Sequence, residues 1–208
     1  MIMSRIEEIM LTSPVIPVIV IDDLADAVPL ANALVRGGLK VLEVTLRTEQ
    51  GLAAITAIKE QVPEAIVGAG TVLTPEDVTA SVAAGAEFLV SPGSTAELVD
   101  AALATSVPLL PGVATPSEAM ALLAKGIEHM KFFPAQAAGG VPMLKSIAGP
   151  LPQLKFCPTG GITEGNAAEF LSLPNVLCVG GTWMLNKSLL AAKDWPEIEM
   201  QARVAALL

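Results

Sequence analysis

A lysine stands inside an otherwise apolar segment, His129–Phe133. Lysine is rarely buried, because an ammonium ion loses its hydration when it leaves water. Burial together with a nearby cation favours the uncharged amine, which can attack a carbonyl carbon. Lys131 is therefore a candidate nucleophile that forms a Schiff base. The alternative is a lysine whose stem packs against the protein while its ammonium group reaches solvent.

A second segment, Val41–Arg47, carries polar residues at every other position: Glu43, Thr45 and Arg47. Alternate residues of a β-strand point to the same face, so these three side chains share one face. Arg47 is the candidate cation near the lysine, and Glu43 can transfer protons while an imine forms and breaks down. A buried structural ion pair is the alternative interpretation.

Two pairs of glycines, Gly160–Gly161 and Gly180–Gly181, lie at the ends of the last two predicted strands. Backbone N–H groups near helix N-termini bind phosphate, and barrel enzymes commonly hold a phosphate in the loops after their last two strands. The glycines therefore predict a shared anion site, with two unrelated turns as the alternative. In the segment Val67–Thr71, glycines are expected to let a ligand approach the backbone closely, and Thr71 offers a hydroxyl; the alternative is a tight turn only.

Five other residues with reactive side chains have a structural interpretation. His129 begins a predicted strand, whereas barrel enzymes place their catalytic residues at the C-terminal ends of the strands. His129 is therefore expected to form a cap or a structural hydrogen-bonded pair. Cys157 and Cys178 lie in predicted buried strands and are expected to be core thiols in a reducing compartment. Asp22 and Asp23 end the first predicted strand, and we expect them to cap the helix that follows.

Composition excludes several classes of protein. The chain has 208 residues, of which 52% are hydrophobic and 16% charged, and this excludes a disordered protein. One histidine and two cysteines cannot supply the roughly four nitrogen or sulfur ligands of a structural zinc site. The formal net charge of −9 argues against a nucleic-acid partner, because such binding depends on clustered Lys and Arg. An anionic substrate then needs a small, local positive site.

Membrane insertion and export are not expected either. The longest apolar stretches have about eight residues, whereas a membrane span needs roughly 20. Charged residues at Arg5, Glu7 and Glu8 interrupt the first ten positions, so no export signal is predicted. We therefore expect a cytoplasmic enzyme without a membrane partner.

Short apolar runs recur along the chain, and each is followed by an Ala- and Leu-rich stretch of helical periodicity. Continuous apolar runs are typical of parallel strands that helices cover. The pattern predicts one domain over residues 1–208, a (β/α)8 barrel, with an extra helix over Met3–Leu11 that closes its bottom. An open doubly wound sheet is the alternative. The eight predicted strands are Val15–Ile21, Lys40–Leu46, Ala65–Ala69, Phe88–Ser91, Pro108–Pro111, His129–Phe133, Lys155–Pro158 and Val176–Gly180.

Helix boundaries are also predicted from the sequence. Thr74, Ser94 and Thr115 are each expected at an N-cap, with an acidic residue at N3 and, for the first and last, proline at N1. Glycines are expected to end helices in the left-handed conformation, at Gly37–Gly38, Gly85 and Gly126.

Seven motifs along the chain resemble those of one enzyme family, the 2-keto-3-deoxy-6-phosphogluconate (KDPG) and 4-hydroxy-2-oxoglutarate (KHG) aldolases. The resemblance covers nearly the whole chain. It implies a (β/α)8 barrel and a class I pyruvate aldolase that needs neither metal nor cofactor and assembles as a homotrimer. The motifs are VLEVTLRT (41–48), VGAGTVL (67–73), SPG (91–93), KFFPA (131–135), GGV (139–141), CPTGGI (157–162) and VGGTW (179–183).

The resemblance also implies a role for each site residue. Lys131 forms the Schiff base and Glu43 is the acid and base. Arg47 and Thr71 hold the carboxylate of the substrate. The remaining implied residues are Pro92 and Phe133 in the pocket wall, Thr159 at a substrate hydroxyl, and Gly160, Gly161, Gly180, Gly181 and Thr182 at the phosphate. Thr182 departs from the serine of many relatives, which adds a methyl group and can shift substrate preference.

The implied reaction is cleavage of KDPG, a sugar phosphate and keto acid, to pyruvate and glyceraldehyde 3-phosphate, in the Entner–Doudoroff pathway. Cleavage of KHG to pyruvate and glyoxylate is a second expected activity. Four alternatives remain open from the sequence: a class I aldolase for a different 2-keto-3-deoxy sugar acid, a metal-dependent pyruvate aldolase, a sugar-phosphate-binding barrel without activity, and a sugar-phosphate isomerase or epimerase.

Overall fold

The structure is a computed structural model, and it describes residues 3–208. Apolar and β-branched runs form parallel strands that are buried on both faces, as expected for strands covered by helices. Within the described residues the strands are β1 (Val15–Ile19), β2 (Val41–Thr45), β3 (Ile66–Gly70), β4 (Leu89–Val90), β5 (Leu109–Leu110), β6 (Gly112–Val113), β7 (His129–Phe132), β8 (Lys155–Pro158) and β9 (Val179–Gly181).

Helices follow most of the strands, which gives the alternating order that the sequence predicts. Over residues 3–208 the α-helices are α1 (Arg5–Thr12), α2 (Ala27–Arg36), α3 (Gly51–Gln61), α4 (Pro75–Ala83), α5 (Ala96–Leu103), α6 (Pro116–Leu123), α7 (Gly140–Ala148), α8 (Glu164–Leu171), α9 (Lys187–Ala192) and α10 (Trp195–Ala205). A short 3-10 helix spans Leu24–Asp26. In the same range, no helix is both long enough and apolar enough to cross a membrane.

The strands form a parallel sheet that curls into a barrel-like shape. One group of strands has the order β5-β4-β3-β2-β1-β9, and the other has the order β6-β7-β8. Pro111 separates β5 from β6, because proline has no N–H to donate to a strand ladder. The fifth predicted run therefore continues two residues beyond the predicted end. Parallel bridges join Phe156 to Val176 and Thr159 to Gly180, between the β8 and β9 segments.

Side chains alternate between two apolar clusters, as predicted for Val41–Arg47. Leu42 and Val44 lie in a large cluster together with residues of the surrounding helices. Val41 lies in a second cluster, which also contains residues of α1. We call this second group the inner apolar cluster; its buried members are Ile6, Ile9, Met10, Ile16, Val41, Phe88, Val90, Leu110, Cys157 and Cys178.

The predicted N-terminal helix exists as α1. Ser4 caps it, and its hydroxyl accepts a hydrogen bond from the Glu7 N–H at 3.3 Å. Ile6, Ile9 and Met10 recur at helical spacing and are buried in the inner apolar cluster. The apolar face of α1 therefore packs against residues of the curled sheet.

Two of the three predicted N-caps are confirmed, and the third is wrong. Thr74 and Thr115 form capping boxes with N3 acids, and proline follows each. Helix α5 is capped by Thr95, whereas Ser94 donates its hydroxyl hydrogen to the Gly112 carbonyl at 3.3 Å. A bond to a neighbouring strand thus moves the cap by one residue. The predicted helix-ending glycines have positive φ: Gly38 (99°), Gly85 (92°) and Gly126 (81°).

Candidate active site

Lys131 and Glu43 meet inside the curled sheet. They lie on β7 and β2, which are not neighbours in the sheet, so the contact crosses its interior. The Lys131 Nζ donates to the Glu43 Oε1 at 3.1 Å. The two side chains are only 5% and 4% exposed. The predicted partnership of the amine and the carboxylate is therefore present, at a place that is largely shielded from solvent.

Gly70 at the end of β3 leaves room for this carboxylate. A Cβ atom at Gly70 would lie 2.3 Å from the Glu43 Oε1, and one at Gly68 would lie 2.5 Å from the Phe88 ring. Glycine is required where another group approaches the backbone this closely. The sequence predicted glycines that allow close approach, and the groups that approach are side chains of the protein itself.

Arg47 and Thr71 lie just beyond the ends of two neighbouring strands, β2 and β3. The Arg47 Nε donates to the Thr71 Oγ1 at 3.3 Å, and the guanidinium is exposed. Thr71 has a φ of 60°, an uncommon conformation for a β-branched residue that is often found at functional sites. The pair places a fork of N–H donors and a hydroxyl group together at the C-terminal end of the strands.

Thr159 follows β8 and is buried against Gly180 of β9. A Cβ atom at Gly180 would lie 2.3 Å from the Thr159 Oγ1. The hydroxyl donates weakly to the Cys157 carbonyl, at 3.4 Å, which leaves its lone pairs available to a ligand. Gly180 therefore makes space for Thr159.

The glycine pair Gly160–Gly161 lies between β8 and α8, with φ angles of 98° and 77°. These values favour glycine, because a side chain would be strained there. The carbonyl of Gly160 accepts a hydrogen bond from the Gln136 N–H at 3.1 Å. Gly181 and the exposed Thr182 lie at the corresponding end of β9. The bridge between Thr159 and Gly180 brings the two glycine segments together at one end of the sheet.

The remaining two predicted residues lie near the amine. The Lys131 Nζ is 5.4 Å from the centre of the Phe133 ring. A Cβ atom at Gly112 would lie 2.3 Å from the backbone of Pro92, and Gly112 pairs in register with Lys131. Phe133 thus lies near the amine just after β7, and Pro92 lies against Gly112 of β6, the residue that pairs with Lys131.

Comparison with known proteins identifies the family. The family model for KDPG and KHG aldolase matches residues 6–201. The chain belongs to this aldolase family. It is 52% identical to the KHG/KDPG aldolase of Escherichia coli over 199 residues, which are 96% of this chain and 93% of that protein.

Two crystal structures of family members are close to this one. The KDPG aldolase of Legionella pneumophila, with pyruvate captured at low pH as a covalent carbinolamine intermediate, has a TM-score of 0.95 and 49% identity, covering 98% of each chain. The KDPG aldolase of Zymomonas mobilis with 3-phosphoglycerate has a TM-score of 0.92 and 49% identity, covering 97% of this chain and 95% of the other.

Three other reactive residues of this family member, His129, Cys157 and Cys178, are also buried, and Cys157 pairs in register with Lys131. His129 begins β7; its Nε2 is buried without a partner among residues 3–208, and burial lowers the pKa of the imidazole. The prediction that His129 begins a strand is confirmed, but its Nε2 forms no hydrogen bond among the described residues. Cys157 and Cys178 are buried free thiols. The neighbouring Cys157 and burial raise the pKa of Cys178, which keeps this thiol protonated.

The two predicted capping aspartates lie beside a cavity. Asp23 accepts a hydrogen bond from the Ala25 N–H, which lowers its pKa, and caps the 3-10 helix as predicted. The cavity, of about 750 Å³, is lined by Asp22, Asp23, Thr182 and neighbouring residues, but not by Lys131 or Glu43. Among residues 3–208, no three His, Cys, Asp or Glu side chains come together to form a possible metal site.

Two residues at the site, Gln136 and Asn166, were not predicted from the sequence, and Gly70 was predicted only as a glycine that lets a ligand approach the backbone. Gly70 accommodates the Glu43 carboxylate, Gln136 binds the Gly160 carbonyl, and Asn166 binds the Gly161 carbonyl. For Asn166 a signal existed, because Thr163-x-x-Asn166 has the spacing of a capping box.

Proposed function

We propose that this chain is a class I aldolase that cleaves KDPG to pyruvate and glyceraldehyde 3-phosphate, with KHG as a second substrate. The observation that carries the proposal is the buried contact between the Lys131 amine and the Glu43 carboxylate at 3.1 Å. Two relatives support the proposal: the Escherichia coli protein, which is named KHG/KDPG aldolase, and the Legionella pneumophila enzyme, which holds pyruvate as a covalent carbinolamine. If the Lys131–Glu43 contact were only a structural ion pair, it would not account for the Arg47–Thr71 pair or for the two glycine segments.

The first step needs an uncharged amine. Proton transfer along the hydrogen bond from the Lys131 Nζ to Glu43 gives a neutral amine and a neutral carboxyl group, both of which are less costly to bury than ions. The amine then attacks the C2 keto carbon of the substrate and forms a carbinolamine. Glu43 returns its proton to the departing hydroxyl group, water leaves, and an iminium ion remains.

The iminium ion accepts electrons in the cleavage step. Glu43, directly or through a water molecule, removes the proton of the C4 hydroxyl group. The C3–C4 bond breaks, the aldehyde leaves, and the electron pair moves into an enamine on Lys131. Protonation at C3 regenerates an iminium ion, and hydrolysis releases pyruvate and the free lysine.

The Arg47–Thr71 pair is proposed to hold the carboxylate next to the reacting keto group. Arginine presents parallel N–H donors that match the two oxygens of a carboxylate. Thr159 is proposed to contact a substrate hydroxyl group, and Pro92 and Phe133 to form the pocket wall. These contacts would hold the keto carbon near the amine, and holding two reacting groups in the right geometry lowers the barrier to their reaction.

The phosphate is proposed to bind between the two glycine segments. Backbone N–H groups that project from glycine-rich turns at a helix N-terminus suit a phosphate dianion. A relative crystallised with 3-phosphoglycerate supports a phosphorylated ligand class. The proposed phosphate ligands are Gly160, Gly161, Gly180, Gly181 and Thr182.

The proposal includes the architecture that positions these groups. Residues 1–208 form one domain in which the curled sheet closes into an eight-stranded barrel, with β5 and β6 counted as one strand interrupted at Pro111. The bridges between the β8 and β9 segments support closure. Helix α1 closes the bottom through the inner apolar cluster. The active protein is a cytoplasmic homotrimer, which size-exclusion chromatography with light scattering tests.

Steady-state assays of pyruvate release test the proposed function. The purified protein is given KDPG and KHG side by side, with and without a chelator. We expect cleavage of both, a higher kcat/KM for KDPG, and no effect of the chelator. No pyruvate from either substrate would support a binding protein without activity, and a rate abolished by the chelator would support a metal-dependent aldolase.

A further inference from the structure

Among the described residues, three helices begin with the same type of capping box, but one of the three boxes differs in chemistry. Helices α4 and α6 use the acids Asp77 and Glu118 at the third helical position. Helix α8 uses the neutral amide Asn166. Helix α8 is also the one that follows the glycine pair proposed to bind phosphate.

The two acids hold the chain in the same way. The Asp77 Oδ2 accepts from the N–H groups of Leu73 and Thr74, at 2.9 and 3.1 Å. The Glu118 Oε2 accepts from the N–H groups of the two residues at the equivalent positions, at 2.8 and 2.9 Å. In both helices, the N–H of the residue before the N-cap therefore points toward the acid.

Asn166 reverses this arrangement. Its Oδ1 accepts from the N–H of the N-cap residue Thr163 at 2.8 Å, but its Nδ2 donates to the Gly161 carbonyl at 3.0 Å. That carbonyl and the Ile162 N–H belong to one trans peptide, in which the two groups point in opposite directions. The Ile162 N–H therefore points away from Asn166, whereas the equivalent N–H groups in α4 and α6 point toward the acid.

The preceding peptide, between Gly160 and Gly161, is also held by a hydrogen bond to its carbonyl group. The Gly160 carbonyl accepts from the Gln136 N–H at 3.1 Å, so the Gly161 N–H points away from Gln136. Within the part of the chain that the structure describes, neither the Gly161 N–H nor the Ile162 N–H donates to a protein group. The positive φ angles of both glycines permit these two peptide orientations.

We propose that Asn166 is a specificity-determining positioning residue, which keeps the Ile162 N–H directed toward the substrate phosphate by holding the Gly161 carbonyl. This inference rests on the proposed function. Asn166 does not itself touch the substrate. A carboxylate at this position would attract the Ile162 N–H, as the acids do in α4 and α6, and would place a negative charge near the phosphate.

Asn166→Asp tests the proposal, because it keeps the size of the side chain and the acceptor for Thr163 but removes the amide donor. We expect KM for KDPG to rise about tenfold or more, since a hydrogen bond to a charged group is lost. The kcat for KDPG and the kcat/KM for KHG should stay within about twofold, because neither depends on the phosphate contact. Activity on KHG also shows that the variant is folded.

Glu118→Gln is the matched control, since it exchanges an acid for an amide in the capping box of α6. We expect it to leave both KM values within about twofold. An equal loss on KDPG and KHG in Asn166→Asp, or no loss on either, would overturn the role of Asn166. A wild-type protein that fails to cleave KDPG would instead overturn the proposed function, so the two failures are distinguishable.

Discussion

Lys131 and Lys155 lie on neighbouring strands and have opposite surroundings. Lys155 begins β8 and pairs in register with His129, whereas Lys131 lies two residues further along β7 and pairs with Cys157. The Lys155 Nζ donates to the Pro174 carbonyl at 2.9 Å, near solvent. The Lys131 Nζ is buried beside Glu43. The two lysines thus lie two register positions apart on neighbouring strands. One of them reaches the surface, and the other is a candidate nucleophile.

The two ends of the curled sheet explain this difference. Toward the N-terminal ends of the strands, the apolar face of α1 packs into the inner apolar cluster. Toward the C-terminal ends, the interior contains the Lys131–Glu43 pair, and the exposed Arg47 and the half-buried Thr71 lie just beyond the strand ends. We therefore expect a substrate to approach the buried pair from the side of Arg47 and Thr71 and not from the apolar side.

The largest expected effect comes from exchanging the two lysines for alanine in turn. Lys131→Ala should lower kcat for KDPG on the order of 10⁴-fold or more, because the covalent intermediate cannot form. Lys155→Ala should keep kcat within about twofold. Steady-state assays of both variants measure this contrast, and comparable activity in the two would show that the buried amine is not the nucleophile.

A smaller loss is expected when the Glu43 carboxylate is displaced without being removed. In Gly70→Ala the new Cβ would clash with the Glu43 Oε1, and a displacement of this size can cost about 100-fold in kcat. Gly149→Ala is the control, since a Cβ at Gly149 meets no atom within 4 Å. If Gly70→Ala retains wild-type kcat, the position of this carboxylate does not limit the reaction.

At the apolar end, the expected effect is on stability rather than on chemistry. Met10 is fully buried in the inner apolar cluster, so Met10→Ala should lower the free energy of unfolding by about 2–5 kcal/mol. The kcat of the folded protein should stay within about twofold. Met120→Ala, at a side chain that is 58% exposed, is the control in denaturant titrations. A large fall in kcat without loss of stability would contradict this division between the two ends.

The smallest expected effect concerns the pH dependence of stability. The Ala114 N–H lowers the pKa of Glu118 below its ordinary value of 4.5. A carboxyl group with a lowered pKa stabilises the folded state above its ordinary pKa, and this contribution is lost as the pH falls through the lowered value. Glu118→Gln should therefore reduce the loss of thermal stability between neutral and acidic pH. An identical pH profile for the two proteins would contradict the stabilising role of the charged form.

Much of the fold and of the candidate site could be predicted because the signals are local. Each of the eight apolar runs overlaps a strand, although β3 and β9 end one residue beyond the predicted runs, and alternation within Val41–Arg47 correctly separates the inner from the outer face. The pairing of Lys131 with Glu43 could be anticipated, since charged residues in buried strands need partners.

The remaining features depend on contacts between segments that are distant in the sequence. Ser94 loses the cap of α5 because its hydroxyl binds Gly112 on another strand. Gly70 is needed because the Glu43 side chain approaches it, and the reversed peptide after Gly161 depends on Asn166 in α8. The spacing of residues within one segment does not reveal such approaches.

Reduction with borohydride in the presence of pyruvate tests the central claim most directly. Peptide mapping by mass spectrometry should find one reduced pyruvate unit on Lys131 and none on Lys155, and the modification should abolish cleavage of KDPG. Unmodified protein, or pyruvate distributed over surface lysines with activity retained, would contradict the account.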